Sequence, residues 1–249
     1  MTIETAGCAL RGLIHAKNGM PCQDKIYSFT LGNVTAVALS DGAGSSRLSH
    51  YGASRAAGVI CQRLCADFGK FMNASDVYAL RNNILEYLRH KISLLSLELG
   101  CDIDDLHSTL LSVASDGERY ILVHIGDGAA GAFTKNEVFT VSEPHNGEFA
   151  NLVDCIFSPG TFRSMNVMRG RLDDSGKKIS GFVLMSDGTQ PGYYDARRKR
   201  FVRWLLTVKR KCFELEESMR EKFLCSELRE AAENSRTMDD CSIIFMNMK

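Results

Sequence analysis

Apolar residues recur along this chain with a period that switches between that of a strand and that of a helix. Two β-prone runs, Ile26 to Leu31 and Val34 to Leu39, flank Gly32-Asn33 and predict a hairpin. From Ser46 to Phe68 the residues Ala53, Ala57, Ile60, Cys61, Leu64 and Phe68 fall at helical spacing. Ser75 to Leu99 predicts a second helix, with Val77, Leu80, Ile84, Leu88, Ile92 and Leu95 on one face and Asn73 or Ser75 to cap its start. Strand patterns return at Ser108 to Ala114 and Arg119 to Ile125, joined by an Asp116-Gly117 turn, then at Gly131 to Phe133 and Val138 to Val141. A looser region, Ser142 to Gly160, precedes strands at Phe162 to Met168 and Phe182 to Met185. Helical spacing resumes between Tyr194 and Leu206 and from Phe213 to Ala232, and the last strand is Cys241 to Met246. Antiparallel strands in blocks, separated by paired helices, predict an α+β fold of two sheets covered by helices rather than a parallel βαβ fold.

Composition narrows the class. The 249 residues carry 30 basic and 30 acidic side chains, which argues against a nucleic-acid coat protein or a polybasic membrane binder. Four prolines and no low-complexity stretch leave no interdomain linker in view, so one domain over residues 1–249 is expected. The nine cysteines are scattered, odd in number and without a Cys-x-x-Cys pair, which fits buried thiols better than a disulfide framework or zinc ligands. No signal peptide and no apolar stretch of spanning length are visible, so a soluble, reduced, cytoplasmic protein is expected, without nucleic-acid or membrane partners.

Three segments then share one form, an apolar run ending in a small residue and Asp-Gly. They are Val37-Ala-Leu-Ser-Asp41-Gly42, Val123-His-Ile-Gly-Asp127-Gly128 and Val183-Leu-Met-Ser-Asp187-Gly188. A strand delivers each carboxylate to a sheet edge, and the glycine permits a sharp turn and close approach of its carbonyl to a ligand. Any one Asp-Gly pair reads as a simple turn, as Asp116-Gly117 does. Cys22-Gln23-Asp24 and Thr237-Met-Asp239-Asp240 add carboxylates just ahead of two further strands. If these groups converge, their repulsion calls for cations, and an all-oxygen set suits Mg²⁺ or Mn²⁺ rather than Zn²⁺.

The order Gln23-Asp24, Ser-Asp41-Gly42-Ala-Gly44-Ser, His107-Ser-Thr109, Gly-Asp127-Gly128, Ser-Asp187-Gly188-Thr and Asp239-Asp240-Cys-Ser242 resembles the PP2C-type metal-dependent protein phosphatases. The stretches Gly12-Leu-Ile-His15 to Asp24, and Gly147-Glu148-Phe-Ala-Asn151, are most similar to the compact bacterial branch of that family. The resemblance implies a four-layer αββα sandwich of two mainly antiparallel sheets flanked by helices, with two Mn²⁺ or Mg²⁺ ions at one end. It implies that Asp41 bridges the two metals, the Gly42 carbonyl ligates one, Asp187 and Asp239 complete the other, and Asp24 holds a metal's water shell. Asp127 matches an additional acidic position associated with a third ion, and Asp239 rather than Asp240 aligns as the ligand. By the same resemblance a metal-bridging hydroxide attacks phosphorus in line, so Asp24 and Asp41 carry the catalytic centre and no side-chain nucleophile is required.

The pattern departs from the family at three places. Ala43 stands where eukaryotic members have the His of Asp-Gly-His, His15 and Lys17 stand where many carry a phosphate-holding Arg, and Gln23 replaces Glu. Lys17 is the expected phosphate contact on charge, with His15 either structural or functional. His107, His124 and His145 show no metal-ligand spacing and are expected to be structural, and Glu148 and Asn151 fall in a loop able to form a flap. The basic run Arg197-Arg-Lys-Arg200, with Arg203, Lys209, Arg210 and Lys211, predicts a solvated helix face around buried Phe201, Trp204 and Leu205. Its other reading is a dock for an acidic or phosphorylated partner, with Glu214, Glu216, Glu217 and Glu221 close enough in sequence to neutralise it. The expected activity is that of a bacterial protein-serine/threonine phosphatase acting on phosphoproteins made by a kinase. The rival readings are a non-catalytic regulator of the same fold, binding a phosphoprotein or kinase, and a hydrolase of small phosphorylated metabolites.

Overall fold

The computed structural model describes residues 2–145, 153–174, 176 and 178–249. The chain runs β1 (Ile3–Leu10), α1 (Leu13–Lys17), β2 (Lys25–Leu31), β3 (Val34–Ser40), α2 (Ser49–Ala66), α3 (Phe68–Met72), α4 (Val77–Leu99), β4 (Leu110–Ser115), β5 (Arg119–Ile125), β6 (Ala129–Phe133) and β7 (Val138–Ser142). It continues with α5 (Thr161–Ser164), β8 (Asn166–Arg171), β9 (Gly181–Met185), α6 (Gln190–Tyr193), β10 (Tyr194–Asp195), β11 (Arg200–Phe201), α7 (Trp204–Glu214), α8 (Glu217–Ser235) and β12 (Cys241–Met248).

Two five-stranded antiparallel sheets result, in the orders β1-β12-β9-β6-β7 and β2-β3-β4-β5-β8. Both faces of the central strands are buried, which is why those strands read as mainly apolar runs rather than as alternation. In β3, Val37 and Leu39 face the other sheet, where they meet Leu184, Ile244 and Met246. The alternate residues Ala36 and Ala38 pack instead on Ala56, Ala57 and Ile60 of α2 and on Ile84, Leu88 and Ile92 of α4. On the far side, Val183 and Met185 of β9 and Phe245 of β12 pack on Leu205 and Val208 of α7 and Leu224 and Leu228 of α8. The layers are therefore helix, sheet, sheet, helix, as the family resemblance implies.

Four local expectations are corrected. The strand β1 was not visible in the pattern; Glu4, Thr5 and Gly7 dilute its apolar signal, and its partners in β12 run from Cys241 opposite Leu10 to Met248 opposite Ile3, at the far end of the sequence given. The predicted helix from Tyr194 is instead the β10–β11 hairpin, and helical structure starts only at Trp204, which is exposed rather than buried. The cap of α4 is Asp76, whose carboxylate accepts from the Ala79 N–H at 3.0 Å, in place of the expected Asn73 or Ser75. Finally, Cys8 of β1 and Cys225 of α8 are disulfide-bonded, while the other seven cysteines are free, so the expectation of thiols throughout does not hold. No spacing rule links cysteines 217 residues apart; only the β1–α8 packing brings them together. No described helix is long and apolar enough to cross a membrane.

Candidate metal centre

Antiparallel pairing gathers the acidic motifs at one end of the sandwich. The start of β2 lies beside the end of β3, through Lys25 and Ser40, so Asp24 and Asp41 leave the same sheet edge. In the other sheet the start of β12 lies beside the end of β9, through Ile243 and Met185, which does the same for Asp239 and Asp187. Asp127 occupies the turn between the end of β5 in one sheet and the start of β6 in the other.

The backbone around each carboxylate is pinned. The Asp41 N–H donates to Thr109 Oγ1 at 3.0 Å, the Thr109 N–H donates to the Asp41 carbonyl at 2.8 Å, and Ser40 Oγ donates to the Thr109 carbonyl at 2.6 Å. Gly42 is buried in a bridge to Ser108, and a Cβ there would lie 2.8 Å from the Ser49 side chain. A Cβ on Gly188 would collide with the Asp240 carbonyl, so only glycine lets the Asp187 turn seat against the start of β12. Gln190 Nε2 donates to the Asp127 carbonyl at 2.6 Å. That support was not visible in the sequence, because nothing in a Thr-Gln-Pro turn points to a residue 63 positions earlier.

Carboxylate oxygens of Asp41, Asp127 and Asp187 all lie within 4.8 Å of one another. They line a cleft of about 810 Å³ together with Gly42 and Asp239. Asp24 sits behind them, 1% exposed, with neither carboxylate oxygen in a hydrogen bond of good geometry. Burial pushes the Asp24 carboxyl up to about 6 against the nearby hydroxyls of Ser242 and Ser186, and burial with the charge of Asp187 pushes Asp127 up to about 7. Asp41 is held well above the ordinary carboxylate range by burial and then by the charges of Asp24 and Asp187. Asp239, at the rim, is raised by burial with Asp187 and Asp240 adding to it.

Adjacent acids in the Asp-Asp pair do different work. Asp240 is 2% exposed and accepts hydrogen bonds from the backbone N–H groups of Gly12 and Gln23, at 2.6 and 2.5 Å. Its Oδ2 also lies 2.9 Å from His15 Nδ1. Asp240 thus locks α1 and the approach to β2 to the β12 edge, while Asp239 turns to the cleft. His15 and Gln23 line the cleft; Lys17 is exposed at the end of α1 and is not among the lining residues.

His107 lines the mouth, with Nε2 3.4 Å from Asp104 Oδ1 and its ring stacked on Phe157. His124 is buried, bonded through Nδ1 to Ser142 Oγ at 2.7 Å, and burial drives it down to about 3, so it stays neutral and structural. Glu148 and Asn151 lie outside the described residues.

No lysine or arginine is among the described residues lining this cleft. Four clustered carboxylates, a fifth buried behind them, and all-oxygen donors form a set that suits hard divalent cations. A cleft of this charge repels a phosphate dianion until cations are present.

The family model described as "Protein phosphatase 2C" matches residues 11–229. Among solved structures, a bacterial serine phosphatase is similar over 100% of this chain and 98% of its own, at 13% identity and TM-score 0.66. The serine/threonine phosphatase Stp1 from Staphylococcus aureus is similar over 100% of this chain and 96% of its own, at 13% identity and TM-score 0.65. The catalytic domain of the serine/threonine protein phosphatase PstP, in complex with two manganese ions, is similar over 98% of this chain and 97% of its own, at 16% identity and TM-score 0.54. At these identities the likeness is one of fold. A search of curated protein sequences finds no match.

Proposed function

The chain belongs to the protein phosphatase 2C family, and from that premise we propose that it hydrolyses phosphomonoesters on serine and threonine side chains of proteins, using Mn²⁺ or Mg²⁺. The observation that carries this reading is the carboxylate cleft, with no lysine or arginine among its described lining residues, an unsuitable receptor for phosphate unless cations fill it. In this reading residues 1–249 act as one catalytic unit. Asp41, the Gly42 carbonyl, Asp187 and Asp239 would hold two ions, with Asp24 in their support and Asp127 available to a further one.

Ions held there would supply the positive charge that receives the phosphoryl oxygens and the Lewis acidity that makes water nucleophilic near neutral pH. The chain's own residues do the rest. Thr109 and Gln190 fix the backbones of Asp41 and Asp127, so the carboxylates need no reorganisation when substrate arrives. The leaving serine oxygen requires a proton, and Ala43 offers none. His15, its Nδ1 turned to the buried Asp240, keeps Nε2 as the nitrogen able to deliver one from the cleft wall. A kinase that phosphorylates the same serine or threonine is the partner this activity opposes.

The test is turnover of p-nitrophenyl phosphate and of a phosphoserine peptide with Mn²⁺, with Mn²⁺ plus chelator, and by Asp41→Asn. Metal-dependent turnover that Asp41→Asn abolishes is expected. Full activity in the chelator or in the variant overturns the assignment. Calorimetric Mn²⁺ binding with no turnover of either substrate would favour the regulator instead.

A further inference from the structure

Of the basic run that the catalytic reading leaves unused, Lys209, Arg210 and Lys211 lie on α7, whereas Arg197 to Arg200 belong to the β10–β11 hairpin and not to a helix face. Arg198 and Lys199 close the β10–β11 hairpin and are already neutralised: Arg198 pairs with Asp195 at 3.0 Å and Lys199 with Glu143 at 2.6 Å. The Asp195 carboxylate also accepts from the backbone N–H groups of Arg197 and Arg198, and the Lys199 carbonyl accepts from Thr140 Oγ1 at 2.8 Å. The hairpin is thereby tied to β7 in a fixed orientation, with Phe201 buried beneath it.

Arg200 and Arg203 emerge from that anchored base. With Lys135 of the β6–β7 turn and Lys178 they line a groove of about 810 Å³, floored by Val138, Phe201 and Val202. All four cations are exposed, and none has a carboxylate partner among the described residues. The carboxylates expected to neutralise the run do not reach this groove; its acidic lining is Glu137 and Asp195, and Asp195 is occupied by Arg198. A neighbouring cavity of about 600 Å³ shares Thr134 and Lys135 and adds Arg210 against Glu214, while Lys209 there is turned inward, donating to the Ser180 carbonyl at 2.8 Å.

We propose that this groove docks an acidic segment of the protein substrate, away from the serine or threonine being dephosphorylated. Its charge complements glutamate, aspartate or a second phosphoryl group, and arginine forks bind such oxygens in pairs. Its apolar floor and interleaved acids suit a side-chain-bearing peptide rather than a continuous phosphate backbone. Strand geometry sets the spacing. β6 runs from the Asp127 turn to the Thr134 turn, and seven residues of extended chain cover about 23 Å. A docked segment must then lie roughly ten residues or more from the scissile phosphoserine, since a fully extended chain spans at most about 3.5 Å per residue and must follow the surface.

The inference rests on the phosphatase reading, and the experiment separates the two. Synthetic peptides carry one phosphoserine and, twelve residues to either side, a run of four glutamates or four glutamines. Arg200→Glu/Arg203→Glu is compared with the wild type for Mn²⁺-dependent turnover, and for fluorescence-anisotropy binding of the same peptides in chelator. Expected is a rise of about tenfold in KM and in Kd for the glutamate peptide at low salt, shrinking as ionic strength screens the pairing. The kcat, the kinetics on p-nitrophenyl phosphate and all values for the glutamine peptide should stay unchanged. Equal handling of the two peptides by the wild type overturns the proposal, as does an unchanged Kd in the double variant or equally tight binding of a single-stranded oligonucleotide. Failure of p-nitrophenyl phosphate turnover would defeat the phosphatase reading alone, because the anisotropy measurement reports docking without catalysis.

Discussion

Replacing Asp24 by asparagine should stabilise the metal-free protein at alkaline pH, the opposite of what removing a buried polar side chain usually does. Burial is the main reason the carboxyl sits at about 6 instead of 3.8, with Asp240 adding repulsion and the hydroxyls of Ser242 and Ser186 opposing it. The folded state therefore holds this proton more tightly than the unfolded chain does. The resulting penalty is absent below about pH 4, grows as pH rises through the folded value, and is complete above about pH 7. A difference of about two pKa units corresponds to at most ~3 kcal/mol. Asparagine carries no charge to desolvate, so Asp24→Asn should raise metal-free stability at pH 8 by ~1–3 kcal/mol, or roughly 2–10 °C in Tm for a domain of this size. The assay is urea and thermal unfolding in chelator at pH 8 and at pH 4.5, where the gap should fall to ~1 kcal/mol or less. Added Mn²⁺ at pH 8 should reverse the order, because only the wild type offers the fifth carboxylate. A variant less stable than wild type at pH 8 without metal, or a gap independent of pH, refutes the reasoning.

Three other outcomes follow from named contacts. Gly188→Ala must push the Asp187 turn off the Asp240 carbonyl; a loss of ~1–3 kcal/mol in urea unfolding and weaker Mn²⁺ binding by calorimetry are expected. His15→Gln should slow release of serine from a phosphoserine peptide by about 10²-fold or more. The same variant should spare p-nitrophenyl phosphate, whose leaving group needs no proton, and equal losses on both substrates would exclude proton donation. Cys8→Ala should lower stability by ~2–4 kcal/mol, since the disulfide closes a span of 217 residues; peptide mapping without reductant should recover the Cys8–Cys225 pair.

The parts of the fold legible in the sequence were those whose pattern is set locally. Strands β3, β5 and β9 are largely buried on both faces, so their runs are mainly apolar and end abruptly near Asp41, Asp127 and Asp187. Helix α4 shows its core stripe from Leu80 to Leu95 without ambiguity. The hairpin at Tyr194 was misread because Phe201, Leu205 and Val208 are spaced by four and three residues, which imitates a helix face across a strand end. The helix expected from Phe213 starts only at Glu217, because Phe213 and Glu214 end α7 and Leu215 is extended. The division of labour between Asp239 and Asp240 was open to alignment but not to physics, because nothing local distinguishes two adjacent carboxylates. What separates them is whether a backbone N–H from Gly12 or Gln23 is near, and that depends on the far end of the chain.

The strand that carries Asp239 into place has a consequence for when this molecule becomes competent. β12 lies between β1 and β9, pairing Ile3 with Met248 on one side and Ile243 with Met185 on the other. β12 is the second strand of its sheet, so β1 has no strand partner until residues 241–248 have left the ribosome. Pairings across such separations close slowly compared with local hairpins. The nascent chain can form the β2–β3 and β4–β5 hairpins early, yet it cannot complete the carboxylate set. Cation capture is therefore a late event that reports a finished fold, and a truncated or stalled chain would present scattered acids rather than a partly active centre.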